Sequence, residues 1–197
     1  MESIPWTSKQ LNQWLLPCAP APALARTDAA SQALAIESMN LNLRPAQADE
    51  FDFAYQVKKD AMCSHISARW GWDDDLQRSI HHQRWSEKPW SVIMCGDNRI
   101  GTLSLTDEGD TLRFGEFYIA AAFRGKGLGT EVLQQVIAGC DGSRQKIRLE
   151  YLKWNPVGSL YKRHGFRVVS ENEIHYFMLR EPGRANKQLQ PTTFGGG

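Results

Sequence analysis

The sequence lacks a charge bias of either sign. Lysine and arginine together number 23 against 22 aspartates and glutamates, so the formal net charge of the 197 residues is +1. A protein that covers nucleic acid or anionic lipid needs a strongly basic surface, and we therefore expect no nucleic-acid partner. No apolar run approaches the roughly 20 residues that a membrane-spanning helix needs, so we expect no membrane partner either.

Closely spaced metal-binding or redox residues are also missing. The four cysteines (Cys18, Cys63, Cys95 and Cys140) contain no CxxC pair, which argues against a zinc site or a redox dithiol. The five histidines lack the spacing of a metal site, so we predict no metal. This usage is typical of a cytoplasmic protein. Leucines in residues 11–16 suggest a secretory signal as the alternative, but polar residues and prolines interrupt or follow that stretch.

Composition divides the chain into three parts. Residues 1–38 are rich in alanine and proline and poor in charge, which predicts a flexible extension. Residues 183–197 end in three glycines and contain few apolar side chains, which predicts a disordered tail. Residues 39–182 then form one folded domain of ordinary globular composition.

Hydrophobic periodicity within this domain predicts an α/β fold. Alternating apolar residues predict strands, beginning with Leu41–Leu43, and a hairpin turns at Gly96–Asn98. Apolar residues at helical spacing predict helices over 49–65, after a capping Asp73, and from Leu128 onward. The predicted order is β-α-α-β-β-β-α-β-α-β-β, which indicates a central mixed sheet flanked by helices.

The segment Arg124–Thr130 carries the strongest chemical signal. Its three glycines allow a tight turn with exposed N–H groups, and the following helix adds its positive N-terminal end. Together with two basic side chains, these features favour a phosphate or pyrophosphate ligand. The spacing excludes a P-loop and a dinucleotide fingerprint, because Thr130 stands where each requires glycine. A tight turn without a ligand is the simpler alternative.

This segment, together with a second one downstream, resembles the GNAT superfamily of acetyl-CoA-dependent N-acetyltransferases. The RxxGxG pattern from Arg124 is similar to the family's pyrophosphate loop. The downstream stretch from Asn155-Pro156 to Gly165-Phe166 is similar to its second signature, NPxxxxLYxxxGF. The two occur in the family's order and distance, and the resemblance covers about residues 40–180. It implies the GNAT fold, with a central mixed sheet, and acetyl-CoA as a co-substrate.

The resemblance also implies where coenzyme A would bind. In the family, two adjacent parallel strands splay apart and pair with the pantetheine arm, and here these strands would be Leu112–Ile119 and Ile147–Leu152. Asn155 would contact the pantetheine or the thioester region, or it would simply cap the following helix. The implied cofactor-binding residues are Phe117, Tyr118, Ile119, Arg124, Gly125, Lys126, Gly127, Leu128, Gly129, Thr130 and Asn155.

Two catalytic residues follow from the same resemblance. Tyr161 matches the family tyrosine that protonates the departing thiolate, although it could instead be packing on the sheet. A phenol with an ordinary pKa near 10 can donate this proton at neutral pH. The base is Glu116, although its offset from the loop differs from the commonest family position, which Arg113 occupies. Such an odd offset points to the other face of a strand unless a bulge intervenes. Glu150 and deprotonation by bulk water are the alternatives.

The acceptor is the least defined element. In the family, the first two helices form much of its wall, and here that region holds Trp70–Asp75 and His81–His82. The acidic cluster could attract a cationic amine, or it could cap and stabilise a helix while the tryptophans pack. We expect direct acetyl transfer to a primary amine of a small molecule or a protein, and a possible homodimer. Transfer of another acyl group and a non-catalytic CoA-binding regulatory module are the alternatives.

Overall fold

The computed structural model describes residues 41–183. The predicted extension (1–38) and all but the first residue of the predicted tail (183–197) lie outside the described residues. The strands are β1 (Leu41–Pro45), β2 (Trp90–Cys95), β3 (Asn98–Asp107), β4 (Thr111–Ile119), β5 (Lys146–Leu152), β6 (Arg167–Glu171) and β7 (His175–Arg180). The helices are α1 (Phe51–Trp70), α2 (Asp74–Glu87), α3 (Leu128–Ser143) and α4 (Gly158–Arg163), and two short 3₁₀ helices precede α1 and α3.

The seven strands form one mixed sheet in the order β1-β2-β3-β4-β5-β7-β6. The β4–β5 pair is parallel, and every other neighbouring pair is antiparallel. The order of strands and helices along the chain is the predicted one. The predicted mixed α/β fold is therefore confirmed.

The helices of the first crossover differ from the prediction mainly in length. Helix α1 runs to Trp70, five residues beyond the predicted end, before Gly71 terminates it. Helix α2 begins as predicted, because the Asp73 carboxylate accepts a hydrogen bond of 2.9 Å from the Leu76 N–H. These two helices lie between β1 and β2 in the chain, so they are available to form the wall of a site at β4.

The core lies between the sheet and α3. The apolar face of α3 supplies Val132, Leu133 and Val136, and the strands supply Ile100, Ile147 and other fully buried side chains. Each such side chain contributes about 1.5–3 kcal/mol on burial. This packing holds the N-terminal end of α3 against the end of β4. Within residues 41–183, no helix is long and apolar enough to span a membrane.

Candidate active site

Strands β4 and β5 separate after only three paired positions. Their parallel pairing runs from Thr111 opposite Lys146 to Arg113 opposite Arg148, and no pairs follow although both strands continue. Beyond this point a cavity of about 820 Å³ lies between the strands. Unpaired backbone groups at a strand edge can hydrogen-bond an extended ligand. The predicted splayed pair of strands is therefore present in the structure.

The glycine-rich turn closes one end of this cavity. Gly125 and Gly127 have φ angles of +73° and +82°, which L side chains rarely adopt. No atom lies within 4 Å of a Cβ built on either glycine, so the turn is open to a ligand. Helix α3 begins directly afterwards and directs its free N–H groups and positive dipole end toward the same place. The turn can therefore accept a phosphate group.

The Arg124 side chain anchors the turn to the rest of the domain. Its guanidinium donates to the Ile119 carbonyl at 2.6 Å and to the Asp60 carbonyl at 3.2 Å. These bonds join the turn to the end of β4 and to α1. The Lys126 ammonium lies 5.6 Å from the centre of the Phe123 ring. In this arrangement the guanidinium of Arg124 is occupied by carbonyls, and the exposed N–H groups of the turn are left for an anion.

The same cavity is also lined by Tyr161 and Asn155. Tyr161 is buried on α4, and its ring lies against Phe114, Tyr151 and Phe166. Burial, with a smaller contribution from Tyr151, raises the pKa of the Tyr161 phenol above its ordinary value. The Asn155 carboxamide oxygen accepts a hydrogen bond of 3.0 Å from Val157 N–H just before α4. Asn155 thus makes the capping-type contact of the simpler interpretation, and it also lines the cavity.

A β-bulge at Glu116 decides which way its side chain points. Opposite β4, Ser104 pairs with Gly115 and Thr102 pairs with Tyr118, so two residues of β4 face one residue of β3. Glu116 itself has a φ of +48°, a conformation that costs energy for a non-glycine residue. A bulge shifts the alternation of side chains by one position. As a result, Glu116 and Arg113 line the same cavity despite their odd separation.

Glu116 is surrounded by donors of hydrogen bonds. Its carboxylate accepts from Lys88 Nζ at 2.7 Å, from Arg84 at 3.2 Å and from the Tyr118 hydroxyl at 3.2 Å. Burial alone would raise the pKa of Glu116, but the positive charges of Arg84, Lys88 and Lys58 outweigh it and lower the pKa. The group is therefore an ionised, firmly held carboxylate at neutral pH.

A second cavity of about 270 Å³ adjoins the first on the side of α1 and α2. Both cavities are lined by Glu116, Glu150 and Tyr118, so they meet beside β4 and β5. Glu150 is two-fifths exposed and accepts a hydrogen bond of 3.1 Å from Arg113. His175 on β7 also lines the second cavity, and burial lowers the pKa of its imidazole. The two cavities provide room for two reactants at one junction.

The predicted acceptor wall is only partly in this second cavity. Trp70 and Asp73 line it, whereas Asp74 is engaged by Lys59 at 2.5 Å and by the Trp72 indole at 2.9 Å. The capping interpretation of Asp73 and the packing interpretation of the tryptophans therefore describe most of this cluster.

The two histidines of the predicted acceptor wall, His81 and His82, do not line the second cavity. His81 is fully buried among the aromatic rings of Phe51, Tyr55 and Trp90, and burial lowers its pKa to about 4. His82 is exposed. Among residues 41–183, no group of three or more His, Cys, Asp or Glu side chains is placed to hold a metal ion.

Three basic residues of the second cavity were missed by the sequence analysis. The second cavity is lined by Lys58 on α1, Arg84 on α2 and Lys88, the residue that ends α2. The sequence analysis used the apolar residues of these helices and did not single out the basic ones. One signal was available for Lys58, which stands four residues after Ala54 and next to Val57 on the apolar face of α1. A lysine at helical spacing among buried positions is unusual and can indicate a site.

Comparison with known proteins agrees with this geometry. A sequence model described as an acetyltransferase (GNAT) domain matches residues 86–168, which include β4, the turn, α3 and α4. Residues 86–168 are therefore similar to a GNAT acetyltransferase domain. The expected family resemblance is thereby confirmed. A search of curated proteins gives no match.

Solved structures resemble the same GNAT domain. The PaiA N-acetyltransferase of Thermoplasma acidophilum, in complex with coenzyme A, is 14% identical, with a TM-score of 0.60 over 73% of this chain and 99% of that one. The ribosomal-protein-S18-alanine N-acetyltransferase of Escherichia coli is 13% identical, with a TM-score of 0.56 over 77% and 99%. An acetyltransferase of Thermus thermophilus is 19% identical, with a TM-score of 0.56 over 72% and 96%. At these identities the likeness is one of fold.

Proposed function

We propose that this protein is an N-acetyltransferase that moves an acetyl group from acetyl-CoA directly to a primary amine of a small molecule or a protein. The observation that carries the proposal is the separation of β4 from β5 beside an open glycine turn. The resulting cavity extends from the turn to Tyr161 and meets a second cavity near Glu116 and Glu150. A long phosphorylated thioester and an amine therefore each have a place.

Coenzyme A would lie along the larger cavity. The N–H groups from Arg124 to Thr130 and the N-terminal end of α3 would hold its pyrophosphate. Backbone groups of Phe117–Ile119 would pair with the pantetheine arm at the free edge of β4. Asn155 would contact the thioester end while its carboxamide oxygen stays bonded to Val157. A relative of similar fold is described in complex with coenzyme A, which supports this assignment.

The transfer needs a nucleophile, a place for negative charge and a proton. A neutral amine in the smaller cavity would attack the thioester carbonyl, so that a C–N bond forms and the C–S bond breaks. Tyr161 would give its phenolic proton to the departing thiolate, and it would be protonated at neutral pH because burial raises its pKa. The proton that the attacking nitrogen loses on forming the amide would restore the phenol, so the transfer balances. Backbone N–H groups of β4 would stabilise the oxyanion.

The proton of the ammonium acceptor must be removed before attack. Glu116 is the predicted base, and it lies at the junction of the two cavities. Its three hydrogen bonds and lowered pKa, however, favour holding Arg84 and Lys88 in place over accepting a proton. Glu150 also lies at the junction and is more exposed, so we propose it as the alternative base. A cytoplasmic location and a homodimer stay predictions of the sequence.

Thiol release from acetyl-CoA, measured over a panel of amines and peptides with the full chain, tests the proposal. We expect release that depends on an amine, together with an N-acetylated product seen by mass spectrometry. Propionyl- and succinyl-CoA measured in parallel would show whether another acyl group is preferred. Coenzyme A binding without release from any acyl donor would instead indicate a non-catalytic binding module.

Tyr161→Phe separates the acid from a packing role. The variant keeps the ring and loses the proton, so we expect kcat to fall by about 10²–10⁴ with little change in the Kd for acetyl-CoA. The Kd is measured by calorimetry, and thermal unfolding shows whether the ring still packs. An unchanged kcat would remove Tyr161 from the mechanism and leave the rest of the proposal standing.

A further inference from the structure

Lys58 is a buried cation with very little to bind. Its residue is 3% exposed on α1, and its side chain lines the smaller cavity. The ammonium has three donors, and its hydrogen bond in the structure goes to the Gln77 carbonyl at a long 3.4 Å. Burial of a charge without a close partner costs stability. A lysine kept in such a place suggests an anionic ligand.

The charges around Lys58 point the same way. Lys58, Arg84 and Lys88, here called the basic cluster, lie around one carboxylate, that of Glu116. Arg84 and Lys88 both donate to Glu116, whereas Lys58 makes no ion pair of its own in the described residues. This part of the cavity wall therefore has three positive groups and one negative group.

The other charged residues of the cavity do not correct this excess. Arg113 pairs with Glu150 at 3.1 Å, so these two opposite charges offset each other. The Asp73 carboxylate accepts the Leu76 N–H at the start of α2, and it is not among the charges that act on Lys58, which are those of Arg84, Glu116 and Lys88. His175 is neutral at pH 7 because its pKa is lowered. The basic cluster therefore keeps an unbalanced positive charge, which an additional anion would neutralise.

We propose that the basic cluster binds a carboxylate of the acceptor, so that the acceptor is a small amine that also carries a carboxylate, such as an amino acid. This inference rests on the proposed acetyl transfer, and it adds the chemical class of the acceptor. The carboxylate lies against Lys58, and the amine points to the junction beside Glu150, where the larger cavity begins. The cavity of about 270 Å³ lies just below the range of about 300–1,000 Å³ for drug-sized ligands.

The titration of Lys58 is compatible with this role. Burial, together with the nearby charge of Arg84, lowers its pKa to about 8. The ammonium is therefore still mostly charged at pH 7, and a bound carboxylate would stabilise that charge further. The charged groups that face it are Arg84 on α2, Lys88 just after α2 and Glu116 on β4.

Paired acceptors test the proposal with the full chain and acetyl-CoA. Each L-amino acid is compared with its own carboxamide, which keeps the amine and the side chain but has no negative charge. A charged hydrogen bond contributes about 1.5–3 kcal/mol, so we expect kcat/KM for the preferred amino acids to exceed that of their carboxamides about 10–100-fold. Lys58→Met should remove this preference by raising KM for the acids, with kcat and the carboxamides little affected.

Lys59→Met is the matched control. Lys59 is the next residue of α1, pairs with Asp74 and does not line the cavity, so this variant should keep the preference. Lys58→Met should also unfold at the same temperature or higher, because a methionine of similar size removes a poorly paired buried charge. A lower melting temperature would indicate a lysine that serves the fold.

Binding of products separates this inference from the proposed function. Calorimetry in the presence of coenzyme A compares N-acetyl amino acids with their carboxamides. Tighter binding of the acids that is lost in Lys58→Met supports the site, even if no amine is ever acetylated and the proposed function fails. Equal use and equal binding of acids and carboxamides would overturn the inference and leave acetyl transfer to amines intact.

Discussion

Glu116→Gln should destabilise the domain at neutral pH. Glutamine keeps the size of the side chain but removes the one negative charge shared by Lys88 at 2.7 Å and Arg84 at 3.2 Å. Removing one partner of a buried ion pair costs about 3–5 kcal/mol. Because the Arg84 side chain is 41% exposed and can regain water, we expect a smaller cost of about 2–3 kcal/mol. This corresponds to a loss of roughly 5–10 °C in Tm.

The loss of stability in Glu116→Gln should also depend on pH in a defined direction. The pKa of Glu116 is lowered in the folded protein, so its contribution to stability is present above the unfolded value near 4.5. That contribution disappears as the pH falls through the folded pKa. The difference in free energy of unfolding between the wild type and Glu116→Gln should therefore be largest near pH 7 and should shrink below pH 4.5.

Urea unfolding at several pH values measures this difference, and Glu173→Gln is the matched control. Glu173 is exposed in the turn before β7, so its replacement should change stability by less than about 0.5 kcal/mol. Equal unfolding midpoints for the wild type and Glu116→Gln at pH 7 would refute the ion-pair argument. Turnover of Glu116→Gln and Glu150→Gln, followed against pH, would show which variant alters the pH profile and so which carboxylate acts as the base.

Two further predictions concern glycine packing and the turn. Gly158→Ala should destabilise the domain by about 1–3 kcal/mol, because an added Cβ would lie 2.2 Å from the Tyr151 hydroxyl. Gly139→Ala in α3 should instead stabilise the domain by about 0.5–1 kcal/mol, because nothing lies within 4 Å of a Cβ added there. Equal shifts of the two variants in thermal melts would contradict this reasoning. Arg124→Lys keeps the charge but loses the two carbonyl bonds, so calorimetry should show weaker coenzyme A binding, and an unchanged Kd would mean that charge alone matters.

Local patterns in the sequence were sufficient for most of the fold. Helix α3 and the strands were predictable because their apolar residues repeat with the period of one element, and Asp73 could be recognised as a cap from its immediate neighbours. The turn at Gly125 and Gly127 was predictable for the same reason, since the glycines and the helix start lie within a few residues. Such features depend on residues close together in the chain.

The features that could not be predicted depend on distant residues. The bulge at Glu116 is a shift in the pairing of β3 and β4 opposite Leu103. No pattern within β4 alone reveals that shift, because it depends on both strands. The surroundings of Lys58 depend on α2 and its C-terminal end, where Arg84 and Lys88 lie about one helix and one connection away. Neither arrangement has a local signature beyond a charged residue at an apolar position.

Two departures of this domain from ordinary folding rules lie at the same cavity. Glu116 adopts a φ of +48° within a strand, and Lys58 buries an ammonium with one long hydrogen bond. Each arrangement costs stability and persists only when the surrounding structure imposes it. Both side chains face the smaller cavity, where it approaches the end of the larger one. Since a fold alone requires neither, the coincidence of both costs at one cavity supports the proposal that this cavity binds a ligand.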